Sequence, residues 1–171
     1  PLTPELRLKW LYEISPIGVV GTLLIGMANG TFWTMMPVYA ADIGLAPGTV
    51  GTLMAVITIG GAALQIPIGR ISDISDRRYL LVAIIGVAGA LELVLLTAGS
   101  TISSLLLFPI GFLLGSMVAT HYYVAAAHTN DRTGPDNAVG VSAALLLLYC
   151  IGAVIGPIVA SWLMQATGPS G

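Results

Sequence analysis

The stretch at residues 69–80, GRISDISDRRYL, concentrates charge in a chain that otherwise has little of it. Five of its first ten residues are charged, whereas charged residues make up 8% and apolar residues 56% of the 171 residues, with a mean hydropathy of +0.94. These values lie far from those of a soluble domain. Two apolar runs flank the stretch: 49–69 carries no charge and 79–99 carries one. Each is as long as the roughly 20 residues that a membrane-spanning helix needs. The composition therefore predicts a membrane protein.

Further apolar runs extend this prediction along the chain. The runs 14–41, 101–127 and 137–171 carry no charge. No segment alternates apolar with polar residues as the strands of a membrane barrel do. The sequence therefore predicts an all-α membrane protein, a bundle of five transmembrane helices. We expect a linker at 1–13, then a single transmembrane domain at 14–171 with spans at about 14–41, 49–69, 79–99, 101–127 and 137–166, separated by polar stretches at 42–48, 70–78 and 128–136 and a turn at 100–101.

All six basic residues fall on one side of the predicted bundle. Threading five spans places 1–13, 70–78 and 128–136 together, and these segments contain every Lys and Arg. Short cytoplasmic loops of membrane proteins collect Lys and Arg. We therefore expect the N-terminus and the loops at 70–78 and 128–136 to be cytoplasmic. Acidic residues contribute little to this rule, so it does not explain Asp73 and Asp76.

The spacing of the charged stretch resembles the loop signature of the major facilitator superfamily. Gly69 is followed four residues later by Asp73, and a basic pair at 77–78 opens the next predicted helix. The glycine lets helix ends approach, the acid accepts hydrogen bonds at a helix N-terminus, and arginines pair with carboxylates or carbonyls. This copy has Ile74 where a basic residue is common and Asp76 where glycine is common. The resemblance implies a cytoplasmic latch between two helical bundles; the alternative is a plain topological anchor.

The resemblance covers nearly the whole chain. In this superfamily a full transporter has two six-helix halves, and the signature loop follows the second helix of a half, as it does here. The opening PLTPEL resembles the end of a linker. We interpret the chain as helices seven to eleven of a twelve-helix protein, a half without its last helix, whose partners are that helix and the N-terminal half. The stretches 15–40, 125–140 and 145–164 also resemble the uncharacterised bacterial YcaD-like branch, which implies the bacterial inner membrane as the location.

Polar, aromatic and small residues recur at helical spacing inside the predicted spans, so they share helix faces. Buried amides do not face lipid, because their hydrogen bonds would be lost. Such residues either join helices or border a cavity. The resemblance implies that the first, second, fourth and fifth helices of a half border the central cavity. The candidates for contact with a small-molecule substrate are Asn29, Trp33, Thr58, Gln65 and Tyr149.

Few titratable groups lie within the predicted spans. Glu92 is the only charged residue inside a span, so we expect it to be protonated, paired or facing water. It is a candidate for proton coupling. The resemblance implies a peripheral third helix, however, which favours a neutral interhelical hydrogen bond or snorkelling to the outer interface. His128 lies in the predicted loop 128–136, where it could titrate with cytoplasmic pH, and it is the second candidate for proton coupling. Asp131 and Arg132 are expected to cap helix ends or to pair with the 70–78 cluster.

The fourth and fifth spans contain further aromatic and small residues. His121, Tyr122 and Tyr123 lie near the cytoplasmic end of the fourth span, and we interpret the two tyrosines as part of an aromatic belt at that interface. In the fifth span, Gly152 and Gly156 form a small-residue packing surface, and Pro157 is expected to bend the helix.

Other chemistry is sparse. Cys150 is the only cysteine, so the chain has no disulfide and no thiolate metal site. No glycine-rich phosphate loop is followed by Lys and Ser or Thr, which argues against an ATP-driven pump. The net charge of −2 argues against a nucleic-acid surface. We expect no cofactor, no metal and no enzyme activity.

Together these observations predict part of a secondary active transporter that moves a small solute across the inner membrane by alternating access. The alternative is a non-transporting membrane subunit that packs its small-residue faces in a larger membrane complex. The candidates for the cytoplasmic gate are Gly69, Asp73, Arg77, Arg78, Asp131 and Arg132.

Overall fold

The described part of the chain consists of helices. The computed structural model describes residues 8–98, 101–134 and 137–167, with only the backbone at 104 and 164–167. These ranges contain no strand. The helices are α1 (Leu8–Ile14), α2 (Pro16–Asp42), α3 (Pro47–Ile74), α4 (Arg77–Ala98), α5 (Ser104–Thr133) and α6 (Ala138–Thr167). Helices α2 to α6 are each long and apolar enough to cross a membrane. The predicted all-α bundle of five spans is confirmed.

The charged segments are more helical than predicted. Helix α3 continues to Ile74 and α4 begins at Arg77, so the predicted 70–78 loop shrinks to two residues. Helix α5 likewise runs to Thr133 and takes in most of the predicted 128–136 loop. Charged side chains do not break a helix. The breaks occur where Ser75 adopts an extended backbone and where Gly134 adopts a positive φ of 76°, which glycine tolerates.

Two other boundaries differ from the prediction. Part of the predicted linker at 1–13 is helical, because α1 occupies Leu8–Ile14. The span predicted to begin at 101 begins at Ser104. The turn predicted at 100–101 lies partly outside the described residues. Helix α2 begins at Pro16, and the hydroxyl of Ser15 accepts a hydrogen bond from the Gly18 amide at 3.2 Å, which caps the helix.

Glycines allow two pairs of helices to touch backbone to backbone. Helix α2 packs on α6, and helix α3 packs on α5, the two most extensive contacts of the bundle. Lipid offers no hydrophobic driving force between helices, so close van der Waals packing at small residues is what joins them. The glycines that would place a Cβ against the backbone of the partner helix are Gly26, Gly30, Gly152 and Gly156 in the first pair and Gly60 and Gly115 in the second.

Helix α4 lies at the edge of the bundle. It packs chiefly on α5 and barely touches α3. Its buried residues are Ile84, Ala88 and Leu95. The hydroxyl of Tyr39 also donates to the Leu95 carbonyl at 2.9 Å, which ties α2 to α4. This position agrees with the peripheral third helix that the resemblance implies.

The bundle's apolar core is shared by four helices. Its largest cluster lies between α2, α3, α4 and α5 and comprises Phe32, Met36, Ala40, Leu53, Ile57, Ala88, Leu95, Leu107, Leu114 and Val118. A smaller cluster joins α1 to α6 through Leu11, Val141, Ala144 and Leu145. The short helix α1 therefore contacts the first turns of α6 through the side chain of Leu11.

Candidate functional site

Arg77 joins the ends of three helices. It stands at the start of α4, and its Nη1 donates to Oδ2 of Asp131, near the end of α5, at 2.6 Å. Its Nη2 lies 3.5 Å from Oδ1 of Asp73 in the last turn of α3. The side chain of Arg77 is 22% exposed and that of Asp131 is 60% exposed. We call these three residues the gate network, and the end of the bundle that holds it the charged end.

The gate network is weak enough to break. Exposed ion pairs stabilise a protein by about 0.2–1 kcal/mol each, because water and salt screen both charges. The network also lies wholly within one bundle, whereas the sequence analysis expects a latch between two bundles. What the described contacts do is hold α3, α4 and α5 together at the charged end.

Asp76 performs the capping role that the sequence analysis assigns to Asp73. The Asp76 Oδ1 accepts a hydrogen bond from the Arg78 amide at 2.9 Å. A carboxylate at this place satisfies a free amide and opposes the positive end of the helix dipole of α4. The departure from the usual glycine thus has a structural reason, and Asp73 is left to contact Arg77.

Two gate candidates, Arg78 and Arg132, face outwards, and so does Arg70, which is not one of the candidates. Arg70, Arg78 and Arg132 are exposed, and none forms an ion pair within the described residues. The expected pairing with the 70–78 cluster is therefore made by Asp131 and not by Arg132. A Cβ built on Gly69 would meet no atom within 4 Å, so no described helix approaches it closely. These residues leave the charged end with an unpaired basic surface.

His128 lies on α5 and not in a loop. It is partly buried and within electrostatic range of Arg78, Arg132, Asp76 and Asp131. The imidazole is thus surrounded by charges of both signs at the charged end. Among the described residues, no group of three or more His, Cys, Asp or Glu side chains is arranged to hold a metal ion.

The two leading cavity candidates occupy different environments. Asn29 is buried, and its Nδ2 donates to the Val118 carbonyl at 3.0 Å, which joins α2 to α5. Trp33 is 38% exposed and packs edge to face on Phe32, with ring centroids 5.7 Å apart. The Asn29 amide is therefore bonded to a neighbouring helix, whereas part of the Trp33 side chain is exposed on the surface of the bundle.

The candidates on α3 form no hydrogen bond to another helix within the described residues. Thr58 is exposed, and its hydroxyl donates to the Met54 carbonyl of its own helix at 2.8 Å. Gln65 is partly buried. Neither side chain bonds to another helix within the described residues, so both stay candidates for contact with a solute.

Tyr149 belongs to an aromatic group that the sequence analysis misses. Its ring centroid lies 5.0 Å from that of Tyr122 on α5, and the rings of Tyr122 and Tyr123 lie 5.8 Å apart. We call these three residues the tyrosine cluster. Tyr122 lies 11 residues before Thr133, the last residue of α5. At 1.5 Å per residue it is roughly 16 Å from the helix end.

The belt interpretation of Tyr122 and Tyr123 stays a prediction. His121 does not lie at the surface of the bundle. His121 is buried in the bundle, near the backbone of Ile84 on α4, and its Nε2 has no hydrogen-bond partner within the described residues. A belt residue would place its polar atoms at the interface. Tyr122 and Tyr149 lie equally far along the chain from the α5–α6 connection, and this equal distance is the sequence signal that indicates their contact.

Glu92 lies on an exposed part of α4. It forms no hydrogen bond or ion pair with any other residue that the structure describes. The expected interhelical hydrogen bond is thus not formed by the described helices. The packing role expected for Gly152 and Gly156 matches their position against α2, and α6 continues through Pro157.

Comparisons with known proteins agree with this architecture. Residues 18–171 match the sequence profile described as Major Facilitator Superfamily. The chain is 33% identical over 149 residues to the "Uncharacterized MFS-type transporter YcaD" of Escherichia fergusonii. Proteins of the same name from Salmonella arizonae and Salmonella paratyphi B are 32% and 33% identical over the same length. Each match covers 87% of this chain and 37% of the relative, so the chain spans well under half of these proteins. No solved structure matches the chain.

Proposed function

Because the chain belongs to the major facilitator superfamily, we propose that it is part of a secondary active transporter that moves a small solute across the bacterial inner membrane by alternating access. Such transporters rock two helical units around a site near the bilayer midplane. The observation that carries the proposal is the gate network. The partly exposed pairs of Arg77 join the ends of α3, α4 and α5 at the charged end, next to a surface that a second helical unit could contact.

The unpaired basic surface lies beside the gate network. Arg70, Arg78 and Arg132 are exposed beside it, and the flank of Gly69 is open. We infer that the N-terminal half of the transporter contacts this surface when the cytoplasmic side is closed. In this arrangement Arg77 holds α3, α4 and α5 in the geometry that the other half recognises.

The solute would meet the exposed faces of the cavity helices. Trp33, Thr58 and Tyr149 leave surface uncovered in this bundle, and Gln65 is partly buried with a free amide. The basic residues support a cytoplasmic position for the charged end, since cytoplasmic loops collect Lys and Arg. The N-terminal segment and the α3–α4 and α5–α6 connections would then be cytoplasmic.

The test is the substitution Asp131→Asn in the full-length transporter. It removes one charge of the gate network and keeps the size of the side chain. Two reporter cysteines on α3, at Gly69 near the charged end and at Thr52 near the opposite end, are labelled separately with a membrane-impermeant maleimide. Loss of about 1 kcal/mol from the closed state changes the ratio of the two access states about fivefold. Labelling should rise at position 69 and fall at position 52.

Asp42→Asn is the matched control, because it removes the same charge from an exposed position at the end of α2 that lies away from the charged end. Equal labelling in the two variants would refute a role for the gate network. If labelling at positions 69 and 52 never changes in opposite directions under any condition, the transport proposal fails and a non-transporting subunit is the better explanation.

A further inference from the structure

The tyrosine cluster has features of a binding site. Tyr123 is 56% exposed, and Tyr122 and Tyr149 are partly buried, so the rings are supported by the bundle but not covered by it. Tyr149 lies 11 residues after Ala138, where α6 begins, so Tyr122 and Tyr149 are equally far from the helix ends that the α5–α6 connection joins. Within the described residues, none of the three tyrosine hydroxyl groups forms a hydrogen bond.

The tyrosine cluster lies on the side of α5 opposite α4. Helix α4 packs on α5 through the group that contains Ile84 and Val124. Tyr122 precedes Val124 by two residues, which places it about 200° around the helix and hence on the opposite side. The peripheral helix is therefore behind α5, and the rings lie on the side where α6 joins α5. Val124 also packs with Ile68 of α3, so α3 and α4 both lie on the side of α5 away from Tyr122.

Among the described residues, no Lys or Arg lies in the helix segments that hold the tyrosine cluster. Every Lys and Arg lies in the first nine residues, at 70–78 or at 132. The one acid inside a span, Glu92, is on α4 and so behind α5. The electron-rich faces of the rings thus have no internal cation to bind. A cation within about 6 Å of an aromatic centroid is attracted by the ring, more strongly where water is excluded. The 5.0 Å and 5.8 Å spacings allow one cationic group to contact more than one ring.

We propose that Tyr122, Tyr123 and Tyr149 form a binding site for hydrophobic organic cations, the class of solute that the transporter carries. The transport part of this inference rests on the proposed function, whereas the binding part does not. The apolar surroundings favour the body of such a solute, and the ring faces favour its charge. An anion of the same shape would meet the negative ring faces and bind poorly.

Binding to the purified full-length protein tests the proposal. The probe is tetraphenylphosphonium, and tetraphenylborate is its anionic counterpart of the same shape. We expect calorimetry to detect binding of the cation and little binding of the anion. Tyr122→Leu should weaken cation binding about tenfold, because it removes the ring but keeps an apolar side chain. Tyr122→Phe keeps the ring and should change binding less than about threefold. Equal binding of the two ions, or equal affinity of the Leu and Phe variants, would overturn the proposal.

Cys150 supplies a second readout that a misfolded variant does not mimic. It is exposed on α6, next to Tyr149, and it is the only cysteine in these 171 residues. With other cysteines of the full-length protein replaced, tetraphenylphosphonium should slow its labelling by a neutral maleimide in the parent and the Phe variant. Labelling should proceed without protection in a folded Leu variant. Unprotected labelling in the parent would contradict the site.

The two proposals fail separately. If the cation protects Cys150 but labelling at positions 69 and 52 does not change in opposite directions, the binding site stands and transport fails. If the two reporters respond to Asp131→Asn while the cation neither binds nor protects Cys150, transport stands and the organic-cation site is wrong.

Discussion

Gly30→Ala should destabilise the bundle, although alanine is the better helix former. A Cβ on Gly30 would contact the Ala153 carbonyl oxygen and would lie 2.6 Å from the Cα of Ala153 and 2.8 Å from its carbonyl carbon. These atoms belong to the backbone of α6 and have no rotamer with which to move aside. The substitution therefore forces α2 and α6 apart.

The size of the effect follows from these distances. Carbon atoms pack best at about 3.5–4.0 Å, so the two backbones must separate by about 1 Å. Overpacking of this kind costs typically about 1–3 kcal/mol. The helix propensity of alanine returns up to about 1 kcal/mol. We expect a net loss of about 1–2 kcal/mol in the free energy of unfolding, because the neighbouring glycine contacts between α2 and α6 loosen as well.

The assay compares Gly30→Ala with Gly86→Ala in the full-length protein in detergent. Gly86 lies on α4, and a Cβ built there meets no atom within 4 Å. The same chemical change should therefore stabilise the protein slightly at position 86 and destabilise it at position 30. Unfolding is followed by tryptophan fluorescence during denaturation. If both variants shift the transition in the same direction, the helices are not held at backbone contact and the reasoning is wrong.

Two further predictions concern the buried amide and the orientation. Asn29→Ala should lower the unfolding free energy by about 0.6–1.7 kcal/mol, since it removes the hydrogen bond to the Val118 carbonyl of α5. The control Thr58→Ala should change the unfolding free energy by less than about 0.5 kcal/mol, because Thr58 bonds only within its own helix. Equal effects in the same denaturation assay would show that the Asn29 bond is not formed. Protease sites inserted at 75–76 and directly after Gly134 should both be cleaved only from the cytoplasmic side in oriented vesicles, and cleavage from opposite sides would disprove the threading.

The number and order of the spans could be predicted from the sequence because they depend on local properties. Apolarity and length decide whether a segment crosses a bilayer, and both can be read along the chain. The contact between Asp131 and the 70–78 cluster could also be expected, since threading places both at the charged end. Helix ends were harder to predict. Polarity marks where the membrane ends, whereas the extended Ser75 and the positive φ of Gly134 mark where the helices end.

Contacts within the membrane could not be predicted, because they depend on which helices are neighbours. Asn29 was expected to face a cavity or another helix, and only the packing of α2 beside α5 identifies Val118 as its partner. Tyr122 was expected at the interface because aromatic residues are frequent there. Its contact with Tyr149 requires α5 and α6 to be side by side. The short α1 falls in the predicted linker because seven residues are too few to show a strong pattern.

The glycine contacts determine which parts of the bundle can deform. Between helices whose main chains touch, no layer of side chains remains that could slide or change rotamer. A displacement of α2 is therefore passed to α6 without slack, and the same holds for α3 and α5. Helix α4 meets α5 through side chains, so small shear inside this unit is concentrated along that one seam while the four remaining spans move as two stiff pairs.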